Sequence, residues 1–347
     1  MIYEHGGDIY TYNDMLDFSV NVNPLGTPER VIGAAKRGVQ SAAVYPDSRC
    51  RKLREKLSGK QEVSENNYVF GNGAAELIYT LVLAEKPLKA LIPVPAFSEY
   101  ERALQSVGCE IKYFYTKENN YFCIDNNFLN NLEKDVDIVF LCSPVNPSGH
   151  KIDKQLLKHA ADICEEKGTR LVVDECFVDF LQEADNYSMI GETEKYRKLF
   201  ILRAFTKTYA MAGLRLGYGI SSDTDLLERM EQMRQPWSVS VPAQEAGLAA
   251  LDEEEYVKTA RNLIVRERNY LERELNKMGI KFISSDVNFI LLYSKMDLFL
   301  EMKKQEILIR DCQNYRNLGK GWYRIAVRTH GDNLRLINAL ADMEVSE

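Results

Sequence analysis

Lys207 is the residue of this chain whose type and position best suit covalent chemistry. A mostly apolar run, residues 198–203, predicts a buried strand just before it, and the polar turn Thr206-Lys207-Thr208 follows. A lysine at the mouth of a strand can bond through its amine to an aldehyde cofactor. The Thr206 hydroxyl and Arg215, in the frame Gly-Leu-Arg-Leu-Gly, can hold a phosphate. Most single lysines are solvated surface charges, so the other motifs must show whether Lys207 has this chemical role.

A glycine-rich turn provides a candidate phosphate cradle. Gly71-Asn72-Gly73-Ala74-Ala75-Glu76 follows a predicted strand and opens a predicted helix. Its glycines allow close backbone approach, and free N–H groups at a helix start attract an anion. A dinucleotide site would need a small residue in place of Glu76 and an acidic residue after the next strand, which ends Ile92-Pro93-Val94-Pro95. The turn therefore favours a single phosphate at Gly73, Ala74 and Ala75.

Three more residues follow predicted strands and can meet an aromatic cofactor. Asp174 ends an apolar run, where a buried carboxylate needs a cationic partner such as a protonated pyridine nitrogen. Asn146, in Ser-Pro-Val-Asn-Pro-Ser-Gly, offers an amide that can bind a ligand through a hydrogen bond, although an ordinary turn uses the same residue types. Phe97 can cover a ring or simply belong to the core.

The alternation of elements predicts an α/β doubly wound fold with a mostly parallel sheet. Several strand-like runs are apolar throughout, which is typical of strands covered on both faces. Such sheets bind ligands at the carboxyl ends of their strands, where the turns above fall. The predicted strands are 68–70, 90–93, 110–115, 137–142, 170–174, 199–203 and 216–220, and the predicted helices are 73–84, 98–107, 154–167 and 225–232.

The pattern of predicted helices and strands changes after residue 242 and indicates a smaller α+β domain. Residues 244–279 read as one long charged helical stretch, and residues 281–293 and 322–328 as strands, with a last helix from Asp332. We expect residues 1–40 to form an N-terminal arm that packs with the small domain, 41–242 a large domain and 243–347 the small C-terminal domain. The segment 16–25 is expected to run between the domains.

Composition excludes several classes of protein. The 347 residues are 45% apolar and 27% charged, with a net charge of −7, which argues against nucleic acid or an anionic membrane as partner. No apolar run approaches the ~18 residues of a membrane span, and no secretory signal opens the chain. Seven dispersed cysteines without a Cys-x-x-Cys pair predict free thiols in the cytoplasm. Four scattered histidines show no metal-binding spacing, so no metal is expected.

Taken in order, these motifs resemble the fold-type I pyridoxal-phosphate enzymes, the aminotransferase family. The resemblance implies a fold-type I pyridoxal-phosphate transferase with a seven-stranded, mostly parallel sheet. It implies pyridoxal 5'-phosphate as cofactor, with Lys207 bonded to it and Asp174 at its ring nitrogen. Phe97 would stack on the ring, and Asn146 would donate to its phenolic oxygen. The residues that would bind the phosphate are Gly73, Ala74, Ala75, Thr206 and Arg215. Many members have tyrosine where this chain has Phe177.

The two ends of the chain resemble the threonine-phosphate decarboxylases, relatives of the histidinol-phosphate aminotransferases. The segments are His5-Gly6-Gly7, residues 17–26, residues 309–315 and Tyr-Arg-Ile-Ala-Val-Arg at 323–328. The resemblance implies decarboxylation of L-threonine O-3-phosphate to (R)-1-aminopropan-2-yl phosphate for cobalamin biosynthesis. The implied substrate-binding residues are His5, Gly6, Asn21, Asn146, Arg310 and Arg324. Tyr45 would reach the neighbouring subunit's cofactor phosphate, which implies a homodimer.

Three alternatives remain open at this point. The first is an aminotransferase of the histidinol-phosphate type that uses 2-oxoglutarate and glutamate. The second is a nicotinamide oxidoreductase that uses the loop at residues 71–73. The third is a catalytically silent binding protein of the same fold.

Overall fold

Strands and helices alternate from residue 68 to residue 233, as the apolar runs predict. The structure, a computed structural model, describes residues 5–344. The strands are β1 (Leu16–Asp17), β2 (Tyr68–Gly71), β3 (Lys89–Val94), β4 (Glu110–Tyr115), β5 (Ile138–Cys142), β6 (Arg170–Asp174), β7 (Leu199–Ala204), β8 (Gly217–Ile220), β9 (Lys281–Ile283), β10 (Phe289–Tyr293), β11 (Ile307–Leu308), β12 (Arg310–Asp311) and β13 (Trp322–Ala326).

Twelve α-helices lie between these strands in the described chain. They are α1 (Glu29–Gln40), α2 (Arg51–Gln61), α3 (Gly73–Glu85), α4 (Ser98–Ser106), α5 (Lys154–Lys167), α6 (Ala184–Tyr187), α7 (Phe205–Thr208), α8 (Thr224–Met233), α9 (Val241–Ala250), α10 (Glu254–Lys277), α11 (Leu298–Lys304) and α12 (His330–Glu344). None of those within residues 5–344 is long and apolar enough to cross a bilayer.

The large sheet has seven strands in the order β2-β8-β7-β6-β5-β3-β4. Strand β8 runs antiparallel to both of its neighbours, β2 and β7, and the other pairings are parallel. The predicted seven-stranded, mostly parallel sheet is therefore confirmed. Because six strands point the same way, their carboxyl ends meet at one edge, and the amino end of β8 lies at that same edge.

Apolar side chains alternate between the two faces of the large sheet, as the pleat requires. In β5, Val139 and Leu141 join a cluster with residues of α1, α2, α5 and α9, whereas Ile138 and Phe140 join one with residues of α3, α4 and α8. Both faces are thus covered, which explains why this strand is apolar throughout. The covering layers leave the carboxyl edge as the place where polar side chains can collect.

The C-terminal part forms an antiparallel sheet in the order β12-β13-β10-β9. Its apolar core combines side chains of α10, α11 and α12 with Phe18 from the N-terminal segment. Strand β1 pairs in parallel with β11, so Leu16 lies opposite Ile307. Residues 16–18 therefore pack with the C-terminal sheet, while Asn23 donates its backbone N–H to the Lys207 carbonyl at 3.0 Å.

Two details of the sequence prediction are wrong. The stretch 244–279 is two helices, because α9 ends before residue 251 and α10 begins at Glu254, whose acidic first turn suits a helix start. The stretch 281–293 is two strands that pair with each other through a turn. Helices α1 and α9 pack within the apolar cluster on one face of the large sheet. The proposed domain boundaries after residues 40 and 242 stay predictions.

Candidate active site

A cavity of about 510 Å³ lies at the carboxyl edge of the large sheet, against the C-terminal sheet and the N-terminal arm. Most of the residues singled out in the sequence line it. These are His5, Gly6, Asn21, Ala74, Ala75, Phe97, Asn146, Asp174, Thr206, Lys207, Arg215, Arg310 and Arg324. Gly73 lies directly beneath Arg215, and Tyr45 lies outside the cavity, on the surface.

Lys207 enters this cavity from the short helix α7, directly after β7. Burial lowers the pKa of its amine to about 8, and the nearby positive charges of Arg324 and Arg215 act in the same direction. At pH 7 a lysine with that pKa is neutral in about a tenth of molecules, far more often than an ordinary lysine. Its Nζ lies 6.0 Å from the centre of the Phe177 ring. The site thus provides a nucleophilic amine.

Asp174 is held in place by two hydrogen bonds at the end of β6. Its Oδ1 accepts from the Cys176 backbone N–H at 2.9 Å, and its Oδ2 accepts from the Tyr100 hydroxyl at 2.5 Å. Burial raises the pKa of this carboxyl, and the two bonds oppose the rise. A cation beside Asp174 would compensate for its desolvation, which is what a protonated pyridine nitrogen offers.

The sequence analysis overlooked Tyr100, which also lines the cavity. Its ring packs edge-to-face against Phe97, with centroids 5.7 Å apart, and stacks on Phe140 at 4.9 Å. A signal was present in the sequence, because Tyr100 lies in the first turn of the predicted helix that directly follows Phe97. Tyr100 therefore contacts both Phe97 and Asp174.

The amino end of α3 and Arg215 form an anion site. Gly73 has φ +77°, and a Cβ there would come within 2.4 Å of Arg215 Nη2, so only glycine leaves room for the guanidinium. Arg215 Nη2 donates to the Asn72 carbonyl at 3.3 Å. The free N–H groups of the first turn, Ala74 and Ala75 included, add to the same positive potential. The predicted phosphate cradle has the donors that a phosphate needs.

Arg324 connects Asn146, in the turn after β5, to the N-terminal arm. Its Nη1 donates to Asn146 Oδ1 at 2.5 Å and its Nη2 to the Ser19 carbonyl at 3.0 Å. Since arginine only donates, the Asn146 amide must turn its oxygen to Arg324, which leaves Nδ2 to donate elsewhere. Arg324 Nε and Asn21 Nδ2 are buried without a hydrogen-bond partner among residues 5–344. Two such donors, each costing about 1–3 kcal/mol, fit an acidic ligand.

Arg310 and Arg324 are directly opposite each other on β12 and β13. Like charges at such positions repel, unless an anion lies between them. Arg310 Nη2 donates to Asn314 Oδ1 at 2.9 Å, and its guanidinium lies 5.6 Å from the centre of the Tyr315 ring. Both arginines are buried and both line the cavity. The pair forms a strongly cationic wall.

The N-terminal arm also lines the cavity, through His5 and Gly6. His5 Nε2 lies 2.9 Å from Glu99 Oε1, and the imidazole is 5.9 Å from the Phe97 ring. The hydrogen bond with His5 lowers the pKa of Glu99. A Cβ at Gly6 would lie 2.4 Å from the Ser19 carbonyl oxygen, so the arm fits closely only with glycine there.

Comparison with known proteins identifies the family. The sequence profile of the class I and II aminotransferases matches residues 13–340. The chain belongs to this aminotransferase family. The matched region extends to residue 340, so it includes both cavity arginines, Arg310 and Arg324.

Among its relatives, the threonine-phosphate decarboxylase of Salmonella typhimurium is 33% identical over 351 residues, 98% of this chain and 96% of that protein. A protein of Caldanaerobacter subterraneus, provisionally given the same name, is 37% identical over 346 residues, 97% of this chain and 93% of that protein. The crystal structure of the histidinol-phosphate aminotransferase from Clostridium acetobutylicum has a TM-score of 0.89 and 32% identity, and covers 96% of this chain and 100% of that one. The aminotransferase fold expected from the sequence is thus confirmed.

Proposed function

We propose that this chain is a pyridoxal-phosphate-dependent decarboxylase of L-threonine O-3-phosphate, which yields CO2 and (R)-1-aminopropan-2-yl phosphate for cobalamin biosynthesis. The observation that carries the proposal is the cross-strand pair of buried arginines, Arg310 and Arg324, in the cavity wall. A substrate with a carboxylate and a phosphate needs two anion sites, and this pair with His5 can provide them. The names of the two relatives above agree with this chemistry.

The residues of the cavity fit pyridoxal 5'-phosphate. The amino end of α3 with Thr206 and Arg215 would hold its phosphate, and Asn146 Nδ2 would donate to its phenolic oxygen. Asp174 would face the ring nitrogen and Phe97 would cover the ring. When bound through Lys207, the cofactor supplies an electron sink for the electrons of a broken Cα bond of the substrate.

Orientation of the substrate decides which bond breaks. The residues that hold the substrate would therefore select the Cα bond whose electrons the bound cofactor could accept. If Arg310 and Arg324 hold the phosphate of the substrate, they leave its carboxylate free, and this orientation would favour loss of the carboxylate as CO2. Lys207, with a pKa of about 8, can carry the proton that Cα then receives.

A second candidate is an aminotransferase of the histidinol-phosphate type. The similarity to the Clostridium acetobutylicum structure favours it, at 32% identity over almost the whole chain. In this alternative the arginine pair would bind histidinol phosphate and 2-oxoglutarate or glutamate in turn. A substrate carboxylate held firmly by the arginine pair would favour loss of the Cα proton instead.

Exposed apolar side chains around Tyr45 support a homodimer. Tyr45 is 75% exposed and stacks on Trp237, which is 50% exposed, with ring centroids 4.5 Å apart. Val39, Val44 and Met233 are also exposed. Such aromatic and aliphatic surface is typical of interfaces, and Tyr45 would reach the partner's cofactor phosphate. The seven free cysteines fit a cytoplasmic location.

The substrate is tested by incubating cofactor-loaded protein with L-threonine O-3-phosphate, O-phospho-L-serine or L-threonine, followed by mass spectrometry. We expect phospho-threonine to be converted to aminopropanol phosphate and plain threonine to be left almost untouched, because it lacks the phosphate that the arginines hold. Protein that bonds the cofactor yet leaves phospho-threonine unchanged would contradict the proposal.

A further inference from the structure

The residues that follow Asp174 and Lys207 are joined by an ionic network outside the cavity, in which Glu175 and Arg203 are buried and Asp179 is partly exposed. Glu175, which is 1% exposed, accepts from Arg203 Nε at 3.0 Å and from the Met189 N–H at 2.6 Å. Arg203 Nη1 donates to Asp179 Oδ1 at 2.7 Å. Asp179 Oδ2 then accepts from the Thr208 hydroxyl at 3.0 Å.

This network connects the two reactive positions through their neighbours in sequence. Glu175 directly follows Asp174 at the end of β6, and Thr208 directly follows Lys207 in α7. Arg203, on β7, lies between them. The series of contacts from Glu175 through Arg203 and Asp179 to Thr208 therefore links the end of β6 to α7. The first of these elements carries the carboxylate of Asp174, and the second carries the amine of Lys207.

The network lies behind α7, away from the candidate active site. Asp179 and Arg203 line a second cavity of about 360 Å³, and the two cavities share one lining residue, Ala204. Arg261 Nε, from α10, donates to the Asp179 carbonyl at 2.5 Å and holds the turn from that side. The side chains of the network therefore lie outside the candidate active site and do not serve as substrate ligands.

Buried ion pairs are a poor source of stability, because desolvation offsets most of their attraction, and their best-attested use is to fix one arrangement among several. Here the arrangement to be fixed is the turn at Lys207. Its backbone is held on the other side by Asn23, whose N–H donates to the Lys207 carbonyl at 3.0 Å and whose Nδ2 donates to the Thr208 carbonyl at 2.8 Å. Asn23 therefore fixes the peptide, and Asp179 fixes the side chain next to Lys207.

We propose that Thr208, held through Asp179 and Arg203, is a positioning residue that sets the place of the Lys207 amine relative to Asp174. The inference rests on the proposed function, since it takes the aldehyde cofactor as the group that Lys207 must meet. A small displacement of a reacting group costs a large factor in rate, whereas binding through groups elsewhere in the site is unaffected.

Thr208→Val tests the inference, because it removes the hydroxyl and keeps the shape. Two probes are compared: pyridoxal 5'-phosphate, whose aldehyde bonds to Lys207, and pyridoxine 5'-phosphate, which lacks the aldehyde. The rate of covalent capture is measured by borohydride trapping and intact mass, and pyridoxine phosphate affinity by calorimetry. We expect capture to slow about tenfold, as for loss of one hydrogen bond to a charged group, with pyridoxine phosphate affinity unchanged.

Two further variants exclude a general effect on the fold. Thr208→Ser keeps the hydroxyl and should restore the parent rate. Thr169→Val is the matched control, because its buried hydroxyl donates to the Val136 carbonyl at 2.7 Å at the opposite end of β6. It should capture the aldehyde at the parent rate.

Each other outcome overturns a stated claim. Capture by Thr208→Val at the parent rate would overturn the positioning role alone. The positioning role would also be overturned if the capture rate and the pyridoxine phosphate affinity fell by the same factor and the melting temperature fell as well. That result would mean that the network only stabilises the fold. Parent protein that traps no pyridoxal phosphate would overturn the proposed function, and this inference with it.

Discussion

The cofactor side and the substrate side of the cavity are built in different ways. The candidate cofactor residues that line the cavity lie at one edge of the large sheet, within residues 71–215, so the topology of that sheet brings them together. The candidate substrate residues come from residues 5–21 and 310–324, at opposite ends of the chain, except for Asn146, which lies in the turn after β5. The first set depends on strand order, and the second on how the arm packs against the C-terminal sheet.

Arg324 joins the two sides. It donates to Asn146, a candidate for contact with both cofactor and substrate, and to the Ser19 carbonyl of the N-terminal segment. Its charge contributes to the lowered pKa of Lys207. Arg310, its cross-strand neighbour, contacts Asn314 and Tyr315 instead. The two arginines therefore offer a direct way to separate the sides by substitution.

The largest expected effect comes from the cofactor side. Lys207→Ala should abolish covalent capture of pyridoxal phosphate and lower turnover by about four orders of magnitude or more, because the amine has no substitute. Borohydride trapping followed by intact-mass measurement reports covalent capture, and steady-state kinetics report turnover. Lys258→Ala, at an exposed residue of α10, is the control and should behave like the parent. An unchanged adduct in Lys207→Ala would exclude this lysine.

Asp174→Asn should retain covalent capture and slow turnover by about 10²–10⁴-fold, because a buried charge partner worth about 3–5 kcal/mol is lost. Single-turnover kinetics with phospho-threonine measure the effect. Asp162→Asn, at a half-exposed residue that pairs with Lys195, should have none. A loss of less than tenfold at Asp174 would remove it from the role of ring-nitrogen partner.

The substrate side is tested by Arg310→Met and Arg324→Met. Each should lower kcat/KM for phospho-threonine by about 10²-fold, since each loses charge-assisted bonds to the substrate. Arg310→Met should leave cofactor capture unchanged, whereas Arg324→Met should alter it through Asn146 and Lys207. If the two variants behave alike in cofactor capture, the division into two sides is wrong.

The smallest expected effect is a shift in pH dependence. Capture requires the neutral amine, so its rate should rise with pH through a midpoint near 8, the pKa of Lys207. Removing the positive charge of Arg324 favours the ammonium form, so Arg324→Met should move the midpoint upward. A stopped-flow pH series measures both midpoints, and a midpoint above 10 in the parent would contradict the lowered pKa.

Sequence reasoning succeeded where local pattern and topology coincide. Apolar runs covered on both faces mark strands such as β5, and polar residues directly after them, such as Asp174 and Lys207, had to meet at the carboxyl edge. The role of Arg324 came only from a family resemblance, because alternation in β13 would equally allow a solvated arginine. Its partner at Ser19 is a backbone carbonyl, which leaves no mark in the sequence.

Contacts between distant segments were not predictable. The Tyr100–Asp174 hydrogen bond joins helix α4, which follows β3, to the end of β6, although β5 separates these two strands in the sheet. The pairing of Arg203 with Glu175 and Asp179 depends on how the turn after β6 folds back. The break between α9 and α10 was also missed, because both halves are helical and no glycine or proline separates them.

The central claim is that the arginine pair directs loss of the carboxylate, and carboxyl-labelled L-threonine O-3-phosphate tests it most directly. Labelled CO2 and amino-group transfer are measured together, with and without 2-oxoglutarate. The account predicts one labelled CO2 for each substrate consumed, independent of the keto acid. Retention of the label, with turnover that requires 2-oxoglutarate and forms glutamate, would contradict it and establish the aminotransferase alternative.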